Sequence, residues 1–338
     1  MSRNKLRVGV VGLGMGSNHV RTYQSLPQAE LIAVCDSDEP WLRHCQQQWN
    51  VPRIFTDYQE MFALEELDAV SIALPTYLHS PATIAALEAG KHVLVEKPMA
   101  MDAADAERMA EAAQRSARTL MVSYNQRFNP EIRFLKRCIS EGHLGDIYYA
   151  RTLWRRPLGV LPAPIGRRPT GDYNRNWFNE TDKGGGVARD LGSHVIDVAM
   201  WLLGFPEVAE VQGCAYTIFG PQSEAHHGFK FDADDHSVGF VRFANGSSLH
   251  VEVSFGSHTD QEVINAEFFG SKGGALRSPL KLFGEVAGTY TTVTPRLDEG
   301  PASTQAEFVD SILAGRPPII TPEQGIAVMR IIDGIRGQ

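Results

Sequence analysis

The sequence predicts an α/β protein: an N-terminal doubly wound parallel sheet, then an α+β domain with an open, mostly antiparallel sheet. Three observations predict it. From Leu6 to Tyr124, short runs apolar on both faces (LRVGVVG, ELIAVCD, DAVSIALP, KHVLVEKP, TLMVSYN) alternate with segments of helical length, as buried parallel strands with right-handed helical crossovers do. From Glu207 to Phe255 the runs alternate in polarity, as strands with one solvated face do. A chain of 338 residues suits two domains of unequal kind better than one core.

The first strand ends in Gly12-Leu13-Gly14-Met15-Gly16-Ser17 and passes directly into a helical segment. This places backbone N–H groups where a pyrophosphate can meet them, so Gly12, Gly14, Met15 and Gly16 are cofactor-binding candidates. The spacing departs from G-x-G-x-x-G: serine stands at the third small position, where it is small enough for helix–strand contact. Asp36 closes the second strand, about 24 residues after Gly12, where a carboxylate accepts the adenosine ribose hydroxyls. The alternative role for Asp36 is a helix cap, which Asp38 could fill instead. A carboxylate here repels a 2'-phosphate, and Ser37 rather than arginine follows, so NAD is favoured over NADP.

Gly90 follows the helix Ser80 to Ala89 at a C-terminal glycine position, and Asp102 caps a helix through Arg118. Between them the strand HVLVEKP ends in Glu96-Lys97-Pro98 at the carboxyl edge of the sheet, where open α/β sheets bind ligands. Pro98 restricts the backbone of Lys97, and a cis bond there would set the direction of the ammonium. Alone, Lys97 reads more readily as a solvated surface lysine.

After Pro130 a helix to about Ser140 leads into the strand GDIYYARTLW, followed by a proline- and arginine-rich stretch from Arg155 to Lys183, long enough to be functional. Trp177 and Phe178 could wall a sugar ring; Arg155, Arg156, Arg167 and Arg168 either meet an acidic or phosphorylated substituent or lie on a solvated loop. The triplet Gly184-Gly185-Gly186 opens a helix from Val187 to Leu203. It carries Asp190 and His194 at i and i+4, within touching distance, with Asp197 and Trp201 further along that face. Asp190 favours protonation of His194 and the helix N-terminus opposes it, which suits a proton acceptor working near neutrality. A structural histidine bonded to Asp190 or Asp197 is the competing reading. Asn245-Gly246 marks a hairpin, and Thr321-Pro322 starts a last helix, about 322–338, expected to pack back on the first domain. The expected domains are 1–125, which binds the nucleotide, and 126–321, which binds substrate and mediates oligomerisation.

Hydrophobic residues at 43% and charged residues at 21% describe an ordinary globular chain. A net charge of -8 without a basic stripe disfavours nucleic acid and anionic membrane as partners. Four dispersed cysteines without C-x-x-C spacing, and an N-terminus running straight into a strand, point to a reduced cytoplasmic protein. His226, His227, Asp232, Asp234, Asp235 and His236 have the composition of a metal cluster but no standard spacing, so no metal is expected and a polar loop entering a strand is preferred.

The segments GLGMGSNH (Gly12 to His19), LPTYLHSP (Leu74 to Pro81), VEKP (Val95 to Pro98), YNQRFNP (Tyr124 to Pro130) and GGGVARDLGSHVID (Gly184 to Asp197) together resemble the Gfo/Idh/MocA oxidoreductases, over nearly the whole chain. The resemblance implies a Rossmann domain, an open-sheet domain often used for dimer or tetramer contacts, and a Lys-Asp-His site, matched by Lys97, Asp190 and His194. It also implies that Pro75, His79, Glu96 and Asn125 lie along the cofactor, Asn125 near the nicotinamide end. Substrate contacts are then expected from Lys97, Arg127, Trp177, Asp190 and His194. The expected reaction moves a hydride between NAD and a secondary alcohol carbon of a sugar or cyclitol. In it His194 acts as general base, Lys97 stabilises the reacting oxygen, and Asp190 orients His194 or binds a neighbouring hydroxyl. The alternatives are a lyase or glycosidase using NAD for transient oxidation, and a non-catalytic NAD-sensing protein, which the three matched residues disfavour.

Overall fold

The computed structural model describes residues 5–157, 165–174, 176–297 and 303–337. The chain runs β1 (Leu6–Val11), α1 (Gly16–Ser25), β2 (Ala29–Cys35), α2 (Glu39–Trp49), β3 (Arg53–Phe55), α3 (Tyr58–Phe62), β4 (Ala69–Ile72), α4 (His79–Glu88), β5 (His92–Val95), α5 (Ala103–Ser116), β6 (Leu120–Val122) and α6 (Pro130–Ser140). It continues through β7 (Ile147–Pro157), β8 (Ile165–Arg168), β9 (Gly171–Asn174), α7 (Val187–Leu203), β10 (Val208–Tyr216), α8 (Gly220–His227), β11 (His236–Phe243) and β12 (Ser248–Ser257). Then follow β13 (Val263–Gly270), β14 (Gly273–Leu276), β15 (Lys281–Val286), β16 (Thr289–Val293), α9 (Thr304–Leu313) and α10 (Pro322–Arg336).

Two compact units emerge. The first comprises 1–124, 165–175 and 302–326, and the second 125–164, 176–301 and 327–338. The first holds a parallel sheet in the order β3-β2-β1-β4-β5-β6, reversing direction of winding between β1 and β4. Its strands read as apolar runs because both faces are covered: Val8, Val10, Val34, Val70, Ile72, Val93 and Val95 are fully buried. The helices start where capping side chains stand: Asp38 accepts from Trp41 N–H, Asp102 from Asp105 N–H and Ser303 Oγ from Ala306 N–H. Against the expected boundary, the β8–β9 hairpin and α9 also pack with this unit. The hairpin is tied there by Arg168 and α9 by its contacts with α1 and β5.

The second unit is built on an eight-stranded sheet, β10-β11-β12-β7-β13-β14-β15-β16, antiparallel except where β12 runs parallel to β7. Helix α7 lies across β7 and β12, and Val253 touches the helix at Gly192. The β11–β12 turn at Asn245-Gly246 is the expected hairpin, with Gly246 at φ +86°. The closing helix differs from expectation. Its first turn, at Gly325, sits against Met99 and Val122 of the nucleotide unit. Beyond Ile326 it belongs to the second unit, where Gly334 and Ile335 press on Val211, Gly213 and Gly239.

Candidate functional site

The turn after β1 shows what each glycine is for. Gly12 has φ +85°, and a Cβ there would lie 2.4 Å from the Ala73 carbonyl oxygen. At Gly16 a Cβ would lie 2.9 Å from Val10 Cγ1 and 3.3 Å from Ala73 Cβ, so this glycine lets α1 lie on the sheet. That role was expected of Ser17, whose Oγ–H instead donates to the Leu13 carbonyl at 2.7 Å. Among the described residues a Cβ on Gly14 would meet only the Arg168 guanidinium, at 3.9 Å, so they leave one side of the turn open at the backbone itself. Asp36 accepts the Leu13 N–H at 2.7 Å and the Asp38 N–H at 3.0 Å, which aims its carboxylate along the turn, while Asp38 caps α2. These residues fit a dinucleotide: a tight glycine turn with an open side at Gly14 where a pyrophosphate can approach the backbone, and an acid at the end of the second strand for the ribose. Met15 is 59% exposed beside them and makes no side-chain cap.

The next two strand ends form a braced pair. Pro75 precedes a 3-10 turn, Thr76–Leu78, and His79 opens α4. His79 is buried, with Nδ1 at 2.8 Å from the Pro98 carbonyl oxygen and Nε2 at 2.8 Å from that of Leu74, and burial lowers its pKa. It therefore ties the backbone around Pro75 to that around Lys97. The Lys97–Pro98 peptide is cis. Glu96 stands 2.8 Å from His19 Nε2 and accepts the Lys97 N–H at 3.2 Å. Burial pushes the Glu96 carboxyl up, but His19 and the Lys97 charge outweigh it and hold the group at about 2. A fixed carboxylate thus adjoins Lys97, itself half-buried. His19 was not singled out from the sequence; only its place inside GLGMGSNH hinted at a role.

In the second unit α7 carries Asp190 and His194, both half-buried, one turn apart. Its start is fixed from outside. Asp234 accepts the Val187 N–H through its carbonyl and the Ala188 N–H through Oδ2, both at 2.8 Å. Gly186, at φ +111°, leaves room for that carboxylate, since a Cβ would lie 2.2 Å from Asp234 Oδ1. The turn Asn176–Phe178 is pinned to the same glycines. Gly186 N–H donates to the Phe178 carbonyl at 3.1 Å, and a Cβ on Gly185 would strike the Phe178 and Trp177 carbonyls. Trp177, half-buried and tilted against Phe178, is thereby anchored to the start of α7. The His194 ring lies 5.7 Å from that of Trp154 on β7, whose Nε1–H donates to Glu262 at 2.7 Å. Asn125 is exposed at the start of a 3-10 turn.

Several expectations are corrected. Arg127 is fully buried, its Nε within 3.0 Å of Asp197, beneath the rings of Trp201 and Phe205. It is part of the core rather than a substrate contact, and Asp197 and Trp201 belong to its cluster. Arg155, 34% exposed, pairs with Glu252, Arg156 with Glu262 and the nearly buried Arg168 with Asp38, so each is engaged by a carboxylate rather than free on a solvated loop. The side chains of Arg167, His226 and His227 lie outside the described residues. Asp232 accepts the Thr181 N–H, and Asp235 accepts the N–H groups of Ile218, Phe219 and Gly220, so the acid-rich segment holds backbone turns. Asp234 went unrecognised because its partners lie some fifty residues away, at the start of α7.

Two family profiles match. One described as "Oxidoreductase family, NAD-binding Rossmann fold" covers residues 6–124, and one described as "GFO/IDH/MocA C-terminal domain" covers 132–276. D-glucoside 3-dehydrogenase of Escherichia coli K12 is 29% identical over 343 aligned positions, 98% of this chain and 95% of that protein. Myo-inositol 2-dehydrogenase of Thermotoga maritima is 27% identical over 342, 95% of this chain and 92% of that protein. Among solved structures, levoglucosan dehydrogenase in complex with NADH and levoglucosan aligns with a TM-score of 0.83 at 24% identity, covering 98% of this chain and 96% of that one, a likeness of fold.

Proposed function

The chain belongs to the Gfo/Idh/MocA oxidoreductase family, and on that footing we propose that it is an NAD-dependent dehydrogenase acting on a secondary alcohol of a sugar, sugar derivative or cyclitol. The observation that carries the reading is the open turn at Gly14 beside Asp36, built for a dinucleotide and followed, on α7, by an acid and an imidazole one turn apart. The named relatives, a glucoside and an inositol dehydrogenase, support the substrate class.

When bound, NAD would supply the acceptor for the hydride that leaves the carbinol carbon. His194 takes the proton of the same hydroxyl, so the alcohol becomes a carbonyl. The Lys97 ammonium hydrogen-bonds the reacting oxygen and stabilises the negative charge growing on it, and Glu96 beside it keeps the local charge balanced. Asp190 orients His194, and Trp177 offers an aromatic wall to a ring. Gly12, Gly14, Met15 and Gly16 would hold the pyrophosphate and Asp36 the ribose, and Pro75, His79, Glu96, Lys97 and Asn125 would line the cofactor, Asn125 near its nicotinamide end. NAD is preferred to NADP. The enzyme works in the cytoplasm as a homodimer or homotetramer, a setting that suits four free cysteines, three of them buried. No described helix is long and apolar enough to cross a membrane.

The test is a panel of sugars and polyols with NAD and NADP, read at the nicotinamide absorbance band. His194→Ala should lower turnover by about 10²–10⁴-fold with NAD affinity unchanged; normal turnover would remove the assigned base. Substrate consumption without net reduced cofactor would instead establish transient oxidation in a lyase or glycosidase.

A further inference from the structure

The β8–β9 hairpin comes from the middle of the chain yet packs with the nucleotide-binding unit, and the residue that holds it there is Arg168. Its guanidinium donates to Asp38 Oδ2 at 2.8 Å, stands 3.8 Å from Asp36 Oδ2 and covers the Trp41 ring at 5.0 Å. The side chain is only 10% exposed. Trp41 is itself fixed, since its Nε1–H donates to the Leu13 carbonyl inside the glycine turn at 3.1 Å. Arg168 therefore faces the carboxylates that end the second strand and the open side of Gly14 together.

The consequence is electrostatic. Without Arg168, Asp36 and Asp38 would put two negative charges beside the adenosine ribose. With it the cluster carries one, and a planar guanidinium fork, the group best matched to phosphate oxygens, sits on its rim. From this geometry, and resting on the reading of the turn as an NAD site, we infer that Arg168 is a cofactor-selecting residue. It forms the outer wall of the adenosine ribose subsite and cancels part of the acidic field that repels a 2'-phosphate. NAD has only a hydroxyl there and depends little on that charge, whereas NADP depends on it strongly. The sequence around Asp36 conceals this, because the cation is delivered from more than a hundred residues downstream rather than from the position after the acid.

The test measures dissociation constants of NAD and NADP on the full chain by tryptophan fluorescence or calorimetry, with a melting curve for each variant. Losing one charge a few ångströms from a phosphate should raise the NADP-to-NAD ratio of dissociation constants about tenfold in Arg168→Ala and in the bulkier Arg168→Gln. Arg168→Lys should restore the ratio to within about threefold of wild type. Asp36→Ser should tighten NADP, and the gain should vanish in Asp36→Ser/Arg168→Gln. If Arg168→Ala and Arg168→Gln weaken both cofactors by the same factor, the arginine merely braces the hairpin and the inference is overturned. If the wild-type chain binds neither cofactor, the underlying NAD-site reading fails first, an outcome distinct from an unchanged ratio in a chain that binds NAD well.

Discussion

Replacing Arg127 by alanine separates a core role from a ligand role in one experiment. Both Arg127 and Asp197 are 0% exposed, and the guanidinium donates through Nε and Nη2 to the same carboxylate, with Trp201 and Phe205 rings 5.6 and 5.2 Å away. Truncation leaves Asp197 buried without its counter-charge, which costs about 3–5 kcal/mol. For a domain of this size the second unit should melt about 6–20 °C lower. Replacing both partners, as Arg127→Met/Asp197→Leu, removes the stranded charge and should recover most of the loss. Urea titration and scanning calorimetry, with the transition followed by tryptophan emission, provide the readout. An Arg127→Ala protein with wild-type stability but weakened sugar saturation would refute the reasoning and return Arg127 to the substrate site.

Gly12→Ala forces φ +85° on a residue with a Cβ and drives that Cβ into the Ala73 carbonyl, so it should destabilise the first unit by about 1–3 kcal/mol and weaken NAD binding, as melting and calorimetric titration would report. Asp234→Ala removes the acceptor of the Ala188 N–H and should cost about 1–2 kcal/mol while lowering turnover more than NAD affinity, because α7 carries Asp190 and His194. The Glu96 carboxyl, depressed from 4.5 to about 2, stabilises the fold above the unfolded value and loses that contribution as pH falls toward 2. Glu96→Gln should flatten this limb of the stability-versus-pH curve. His92, lowered from 6.5 to about 4 by burial and then by Arg118, takes up a proton more readily when unfolded. Stability should therefore decline as pH falls from 6.5 toward 4, and His92→Gln should remove that decline.

What could be read from the residues was whatever a short window encodes. Apolar runs located β1, β2, β4, β5 and β6, the capping side chain of Asp102 located α5, and the triplet Gly184-Gly185-Gly186 located the start of α7. The glycine turn, Asp36 and the one-turn spacing of Asp190 and His194 were legible for the same reason, because each is a local geometric statement. The strands β3, β8 and β9 are three or four residues long, too short for a period to show, and they, α8 and α9 were not anticipated.

The chain's sequence by itself determined the class of fold, the nucleotide turn and the residues available for proton transfer, since backbone periodicity, φ at glycine and side-chain chemistry are properties of neighbours. Tertiary structure alone decided which charges meet: Arg127 with Asp197 in the dry core, Asp234 with the start of α7, His19 with Glu96, and Arg168 with Asp36 and Asp38. An arginine looks the same in sequence whether it awaits a substrate or neutralises a distant acid. Burial and the distance to a partner make the difference, and both arise only when segments far apart in the chain pack together.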